Sequence, residues 1–157
     1  MGENCEFMKA AAQEALEGVK YGHGGPFGAV IVKDNRIIAR AHNEVIKNND
    51  PTDHAEMNAI RSAAKMLGRF DLSDCILYTS CEPCPMCFSA IHWAKIEKVY
   101  YGCTREDAAR VGFDDKYIYD VIKGEAEHKK VDFLQKDRKS CLKAFDEWEA
   151  REDKVNY

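Results

Sequence analysis

Two cysteines and one histidine in this sequence have the residue types and the spacing that could hold a metal ion. Cys84 and Cys87 are separated by two residues, and Pro83 precedes the first of them. A helix that begins near Cys84 would place positions i and i+3 on one face, so both sulfur atoms would point to the same place. The positive end of that helix would also favour thiolate over thiol. With His54 as a third ligand, the pattern predicts a zinc ion whose fourth position is left for water.

Glu56 is the predicted proton carrier of this site. It follows His54 by two residues, near the start of the same predicted helix, and could reach the water without binding the metal. Zinc lowers the pKa of a water molecule bound to it to near neutrality, and hydrolysis then needs a group that moves the proton to the substrate. The combination predicts a zinc-dependent hydrolase.

A closed structural zinc site is the alternative. Cys81, Cys84, Cys87 and His54 would together fill all four positions, as structural sites often do. That arrangement leaves Glu56 without a role, and Cys81 precedes the predicted helical turn, so its sulfur need not converge with the others. A chain of this kind would be a non-catalytic, zinc-stabilised binding module.

Composition limits the classes of protein to which the chain could belong. Its 157 residues are enough for one domain, and 45% of them are hydrophobic, as in globular proteins. The net charge of −4 argues against nucleic acid as a partner, and no apolar stretch is long enough to span a membrane. Seven cysteines without a disulfide-like spacing, and an N-terminus without a signal sequence, indicate reduced thiols. We therefore expect a single cytoplasmic domain over residues 1–157.

Hydrophobic periodicity predicts the helices and strands that must position these residues. In chain order they are a helix over 5–21, strands over 27–32 and 36–41, a helix over 54–67, a strand over 75–79, a helix over 84–94, a strand over 98–102, a broken helical segment over 106–124, a short strand over 131–134 and a helix over 140–151. Thr52 or Asp53 is the predicted cap of the helix that begins at His54. The order of elements predicts a three-layer α/β/α sandwich with a central mixed five-stranded sheet.

At the metal-binding residues the sequence resembles the cytidine deaminase-like superfamily. The pattern His-x-Glu, followed some 30 residues later by Pro-Cys-x-x-Cys, is the signature of zinc-dependent nucleobase deaminases. The resemblance extends along most of the chain to the small bacterial guanine deaminases, and the length and terminal tyrosine fit them as well. The segments that carry it are 24–30, 43, 49–52, 54–56, 78–87 and 112–115.

The resemblance implies a reaction and a set of substrate contacts. Members of the family convert guanine to xanthine and ammonia with one Zn²⁺ per subunit, so Glu56 would protonate a ring nitrogen and then the leaving amine. The backbone N–H groups of Ala55 and Cys84 would steady developing negative charge. The predicted contacts with the purine are an edge contact by Asn43, stacking by Phe27 and Trp93, and an acceptor for N–H groups at Asp115.

The resemblance also implies an assembly. The family is a homodimer that exchanges its C-terminal segment, here about 140–157, so that Tyr157 would enter the partner's pocket. Without the family, a terminal tyrosine would most often belong to a disordered tail.

Several readings stay open from the sequence alone. Another base or nucleoside deaminase, acting on cytosine, guanosine or tRNA adenosine, shares the zinc motif, although the acidic balance disfavours tRNA. Asn43 could cap a turn, and Asp114 and Asp115 could begin a helix at Lys116. His23 and His42 belong to no recognisable motif.

Overall fold

The computed structural model describes residues 4–127 and 130–157 of the chain, which form seven helices and four strands within those ranges. The helices are α1 (Asn4–Lys20), α2 (Val45–Asn48), α3 (Ala55–Leu67), α4 (Pro85–Trp93), α5 (Arg105–Arg110), α6 (Lys116–Lys123) and α7 (Arg138–Ala150). The strands are β1 (Gly28–Lys33), β2 (Arg36–His42), β3 (Ile76–Cys81) and β4 (Lys98–Cys103). None of the helices in these described ranges is both long enough and apolar enough to cross a membrane.

The strands form one mixed sheet in the order β2-β1-β3-β4. β1 is antiparallel to both of its neighbours, whereas β3 and β4 are parallel and are joined by α4. Asp34 and Asn35 close the β1–β2 hairpin with φ angles of 48° and 58°, the left-handed conformation that two-residue hairpin turns require. The predicted hairpin and the strand–helix–strand unit are therefore confirmed.

Helices cover both faces of this sheet. On one face, Ala11 of α1 packs with Val30, Val32 and Tyr78. The other face packs against α3 and α4. The buried apolar residues of this layer are Ala29, Ile31 and Leu77 on the strands, and Ala55, Ala59, Ala63 and Ile91 on the helices. The small residues of α3 let its backbone approach the sheet closely, so the helix that carries the predicted metal ligand is held firmly in place.

The prediction of five strands is wrong, because the described chain forms four. The segment 131–134, predicted as the fifth strand, has no strand structure, and its side chains are largely exposed: Val131 by 58%, Phe133 by 77% and Leu134 by 86%. A strand needs a neighbouring edge for its backbone hydrogen bonds. Helices α5 and α6 separate this segment from β4 along the chain, and among the described residues it pairs with no strand edge.

The predicted cap of α3 is also wrong. His54 itself occupies the N-cap position, and no side chain caps the helix there. The carboxylate of Asp53 instead accepts hydrogen bonds from Asn48 Nδ2 at 2.8 Å and from Arg61 Nη1 at 2.9 Å. Asp53 therefore fastens the loop before the helix to the helix itself.

The broken helical segment after β4 is confirmed. It consists of α5 and α6, separated at Gly112, whose φ of 99° ends the first helix. The last helix, α7, has no buried side chain among its described residues. The C-terminal third of the chain thus lies outside the packed sheet.

Candidate active site

His54, Cys84 and Cys87 come together where α3 and α4 begin. His54 is the N-cap of α3, Cys84 is the N-cap of α4, and Cys87 lies in the first turn of α4 behind Pro85. The Sγ atoms of Cys84 and Cys87 lie 3.4 and 3.6 Å from His54 Nδ1. All three ligand atoms lie within 4.8 Å of one another.

This group fits a zinc ion in geometry and in chemistry. A tetrahedral zinc ion at its usual bond lengths would separate a thiolate sulfur from an imidazole nitrogen by about 3.6 Å. A hydrogen bond from Cys87 lowers the pKa of the Cys84 thiol, and the same hydrogen bond raises the pKa of Cys87, so the two thiols do not readily ionise together. A divalent cation would supply the positive charge that lets both of them ionise.

Cys81 stands apart from this group. Its sulfur hydrogen-bonds the backbone carbonyl of Thr104 at 3.4 Å, and burial raises its pKa to about 11. Among the described residues, the cluster of possible metal ligands contains His54, Cys84 and Cys87 and does not include Cys81. The arrangement favours an open three-ligand site over a closed one.

Glu56 lies beside the ligands in a buried position. Its side chain is 6% exposed, and one carboxylate oxygen accepts a hydrogen bond from Cys87 Sγ at 3.4 Å. The other oxygen lies 3.2 Å from Thr79 Oγ1, which donates to it or to the Cys81 carbonyl at 3.1 Å. Burial raises the pKa of Glu56, because the charged carboxylate loses its hydration.

Thr79 was assigned no role from the sequence. It is 1% exposed on β3 and faces the site from the sheet. The signal that could have revealed it is a polar side chain between apolar ones in a buried strand, since a buried hydroxyl needs a partner.

A cavity of about 690 Å³ opens above the cluster. Six of the predicted site residues line it: Phe27, Asn43, His54, Glu56, Cys84 and Asp115. Further apolar lining comes from the α2 region, α4, α5 and α6, namely Val45, Ile46, Met86, Ala108, Phe113 and Ile118. A cavity that combines apolar walls with a few polar groups is typical of small-molecule sites.

Asn43 is fixed by the backbone around it. Its Oδ1 atom accepts hydrogen bonds from Gly25 N and Val45 N, each at 3.2 Å. Gly24 lies so close that an added Cβ there would come within 2.0 Å of the same oxygen. The acceptor of the Asn43 amide is therefore engaged within the protein, which leaves its NH₂ group to face a ligand.

Asp114 and Asp115 have different surroundings, and the sequence had left open which of them begins α6. Oδ1 of Asp114 accepts a hydrogen bond from Lys116 N at 2.9 Å, so Asp114 supports the start of α6. Asp115 is the N-cap residue of α6 but makes no capping bond with its side chain, and it lines the cavity. Its partial burial raises the pKa of its carboxyl group.

The predicted stacking pair of Phe27 and Trp93 does not form within one chain. Phe27 lines the cavity, and the ring that meets it is Phe113, edge-on at a centroid distance of 5.0 Å. Trp93 ends α4, is 65% exposed, and is absent from the described cavity lining. Its neighbour is the ring of Tyr157 at 6.1 Å, because α4 points its last turn away from the cavity.

Ala55 and Cys84 are located at the helix starts where their backbone roles were predicted. Ala55 is the first residue of α3 and fully buried, and Cys84 precedes the first residue of α4. N–H groups in the first turn of a helix have no partner within the helix. Their part in steadying negative charge stays a prediction.

Comparison with known proteins assigns the chain to a family. Residues 1–103 match the model of the cytidine and deoxycytidylate deaminase zinc-binding region. Over 96% of the chain and 97% of the relative, the sequence is 52% identical to guanine deaminase from Bacillus subtilis (strain 168). The X-ray structure of guanine deaminase from Bacillus subtilis superposes with a TM-score of 0.92 at 50% identity, covering 100% of this chain and 99% of that one.

A second group of relatives shares less of the chain. The tRNA-specific adenosine deaminase of Aquifex aeolicus (strain VF5) is 45% identical over 60% of this chain and 62% of its own length. The family match, the fold and the His54, Cys84 and Cys87 cluster agree with one another. The chain therefore belongs to the zinc-binding cytidine and deoxycytidylate deaminase family.

Proposed function

We propose that this chain is a zinc-dependent aminohydrolase that converts guanine and water to xanthine and ammonia. The observation that carries this proposal is the 52% identity to a guanine deaminase over 96% of the chain. That likeness extends through the C-terminal third, which contributes Phe113, Asp115 and Ile118 to the cavity wall. The likeness to a tRNA-specific adenosine deaminase covers 60% of the chain, and the net charge of −4 does not suit a polynucleotide.

Glu56 is the proposed proton carrier of the reaction. One zinc ion held by His54, Cys84 and Cys87 would supply a Lewis acid that makes water nucleophilic near neutral pH. Water adds to C2 of guanine, the bond from C2 to the exocyclic nitrogen breaks, and ammonia leaves. Glu56 would carry the first proton of the water to a ring nitrogen as the oxygen adds, and would then carry the remaining hydroxyl proton to the departing amine as the carbonyl forms. Its burial beside the cluster and its raised pKa favour this role.

Three side chains are proposed to recognise the purine. The amide NH₂ of Asn43 would donate to an acceptor on the purine edge, since Oδ1 is engaged with Gly25 and Val45. Asp115 would accept hydrogen bonds from purine N–H groups, which a carboxylate with no capping task can do. The ring of Phe27 would pack on the base.

A panel of substrates tests the function. The zinc-loaded protein should release ammonia from guanine faster than from cytosine, adenosine or guanosine, and Glu56→Gln should abolish this release while it keeps its zinc. Faster release of ammonia from cytosine or adenosine would show that guanine is not the preferred substrate, and would favour one of the alternative deaminase functions. Absence of ammonia from every compound would leave a non-catalytic, zinc-stabilised module.

We further propose that the active form is a homodimer whose subunits exchange residues of about 140–157. Exposed apolar side chains in the C-terminal third support this, among them Phe145 at 71% and Leu134 at 86%, since a second subunit that covered them would remove apolar surface from water. One purine would fill only part of the 690 Å³ cavity, which leaves room for Tyr157 of a second subunit. The cytoplasmic location of the enzyme stays a prediction.

Complementation distinguishes exchange from a tail that acts within its own chain. Co-expression of Glu56→Gln chains with chains that lack Tyr157 would give mixed dimers. If the tail is exchanged, one site of each mixed dimer combines an intact Glu56 with an intact tail, and activity returns. If neither homodimer nor mixture is active, the exchange is excluded. The control is a mixture in which both defects lie on the same chain, paired with wild type.

A further inference from the structure

A second group of side chains has the residue types of a metal site. His23 Nδ1 lies 2.8 Å from His42 Nε2, and Oε1 of Glu44 lies 4.0 Å from the first atom and 3.8 Å from the second. A triangle with these sides has a centre about 2.1 Å from each corner, which matches zinc–nitrogen and zinc–oxygen bond lengths. The three side chains are 15–27% exposed, so water could complete the coordination.

His42 is held in the tautomer that a metal ligand needs. Its Nδ1 atom lies 3.2 Å from Oε2 of Glu14, and only a protonated ring nitrogen can donate to a carboxylate. The lone pair of the neutral ring is then on Nε2, which points to His23. In metal sites, the ring nitrogen of a histidine that does not bind the metal commonly donates a hydrogen bond to a carboxylate, which fixes the orientation of the ring.

The His42 imidazole is closely packed against the backbone around it. Gly18 of α1 lies against the ring of His42, and an added Cβ would come within 2.9 Å of it. The carbonyl of His23 accepts hydrogen bonds from the backbone N–H groups of Ile46 and Lys47 at 3.1 and 3.0 Å. The end of β2, the loop after α1 and the start of α2 are therefore joined around the three side chains.

The ammonium group of Lys47 would compete with a metal ion for the Glu44 carboxylate. Its Nζ pairs with Oε1 of Glu44, so the carboxylate oxygen of the proposed site already holds one cation. The lysine side chain is 46% exposed and can turn outward to solvent. A divalent cation at the centre of the triangle would take its place with twice the charge.

We propose that His23, His42 and Glu44 form a second binding site for a divalent transition-metal cation, separate from the site at His54, Cys84 and Cys87. Imidazole and carboxylate ligands suit Zn²⁺, Ni²⁺ and Cu²⁺ better than Ca²⁺ or Mg²⁺. Two of the ligands flank Asn43, so an ion there would stiffen the segment that contacts the substrate in the proposed function. The site itself does not depend on that function.

Metal counting on the zinc-loaded protein tests the proposal. The protein is dialysed against graded free Zn²⁺, and bound zinc is measured per chain. The wild type should take up a second equivalent, His23→Gln should weaken that uptake at least ~10-fold, and Glu14→Gln should weaken it ~10- to 100-fold. The matched control is His92→Gln, since His92 is an exposed histidine on α4 that hydrogen-bonds the Phe88 carbonyl.

Lys47→Gln gives a change of opposite sign, because removal of the competing ammonium should tighten uptake of the second ion. Retention of the first zinc and an unchanged circular dichroism spectrum show that a variant is folded. An anomalous difference map of the zinc-soaked crystal should place the second ion between His23 and His42. The proposal is overturned if the wild type binds one equivalent, if His23→Gln leaves the second unaffected, or if Lys47→Gln weakens it.

Discussion

Residues 4–103 and residues 104–157 differ in how they are packed. The buried apolar residues of the core lie between Ala11 and Ile96, whereas none of the described residues after 103 is buried. The first region is also the part that matches the family model. It contains the sheet, both helix starts of the zinc cluster, and Glu56.

The second region contributes to the cavity without contributing to the core. α5 and α6 bring Phe113, Asp115 and Ile118 to the cavity wall. We infer that the packed region carries the proton chemistry, while the outer region adds Asp115 to the proposed base contacts of Asn43 and Phe27.

The largest effect is expected for Glu56→Gln. The amide cannot carry a proton, and acid–base help is worth ~100-fold or more at each step. Turnover should fall by at least that factor, while the zinc content measured by metal analysis stays equal to that of the wild type. Wild-type turnover in this variant would remove Glu56 from the chemistry.

The next effect is on stability. Leu77→Ala, fully buried on β3, should lower the free energy of unfolding by ~2–5 kcal/mol. Phe145→Ala on α7, which is 71% exposed, should change it by less than ~0.5 kcal/mol in dilute protein. Urea titration at two protein concentrations measures both. If Phe145→Ala lowers the free energy of unfolding only at the higher protein concentration, α7 packs in a dimer. A loss as large as that of Leu77→Ala at both concentrations would contradict the comparison.

Asp115→Asn should impair recognition and leave the fold intact. A hydrogen bond to a charged group contributes ~1.5–3 kcal/mol, so kcat/KM for guanine should fall ~10- to 100-fold. Asp114→Asn is the matched control, since its Oδ1 can still accept from Lys116 N. Equal losses in both variants would mean that the segment matters only as the start of α6.

A smaller effect is expected for Thr79→Val, which removes a hydroxyl and keeps the side-chain shape. The Thr79 hydroxyl is shared between Glu56 and the Cys81 carbonyl, so loss of its bond to Glu56, ~0.5–1.5 kcal/mol, should lower kcat by up to ~10-fold with little change in KM. Thr79→Ser, which keeps the hydroxyl, should restore most of the rate. Failure of serine to rescue would indicate a packing role instead.

The smallest effect concerns Asp74, an exposed residue ahead of β3. Ion pairs with Arg69 and Lys33 lower its pKa to about 2. A carboxyl group with a depressed folded pKa stabilises the protein above its unfolded pKa, and the contribution is lost as pH falls toward the folded pKa. The difference in urea midpoint between wild type and Asp74→Asn should therefore shrink from pH 6 toward pH 3.

Within each helix, the arrangement of the zinc-site residues is local and could be predicted, because Cys84 and Cys87 share the first turn of one helix and Glu56 follows His54 within another. The approach of His54 to Cys84, 30 residues away, was predicted from the known deaminase pattern. The positions of the four strands along the chain also followed from short apolar runs and turn signals. Local rules set these features, and the family resemblance supplied the rest.

Features that depend on distant packing were missed or predicted wrongly. Thr79 and Glu56 are 23 residues apart and His23 and His42 are 19 apart, so their contacts depend on the register of the sheet. Trp93 lies outside the cavity lining of its own chain, at the last turn of α4, so its predicted contact with the base stays a prediction. The segment 131–134 is apolar enough for a strand and lacks an edge to join.

The crowding at Gly24 has a practical consequence for anyone who wishes to redesign this pocket. Even a methyl group there would collide with the side-chain oxygen of Asn43, so libraries that randomise position 24 should yield inactive clones. Ile118 of α6, half-exposed in the cavity lining, makes no such close contact with Asn43 and can change size. Diversity aimed at new nucleobase analogues is therefore best concentrated on the α6 side.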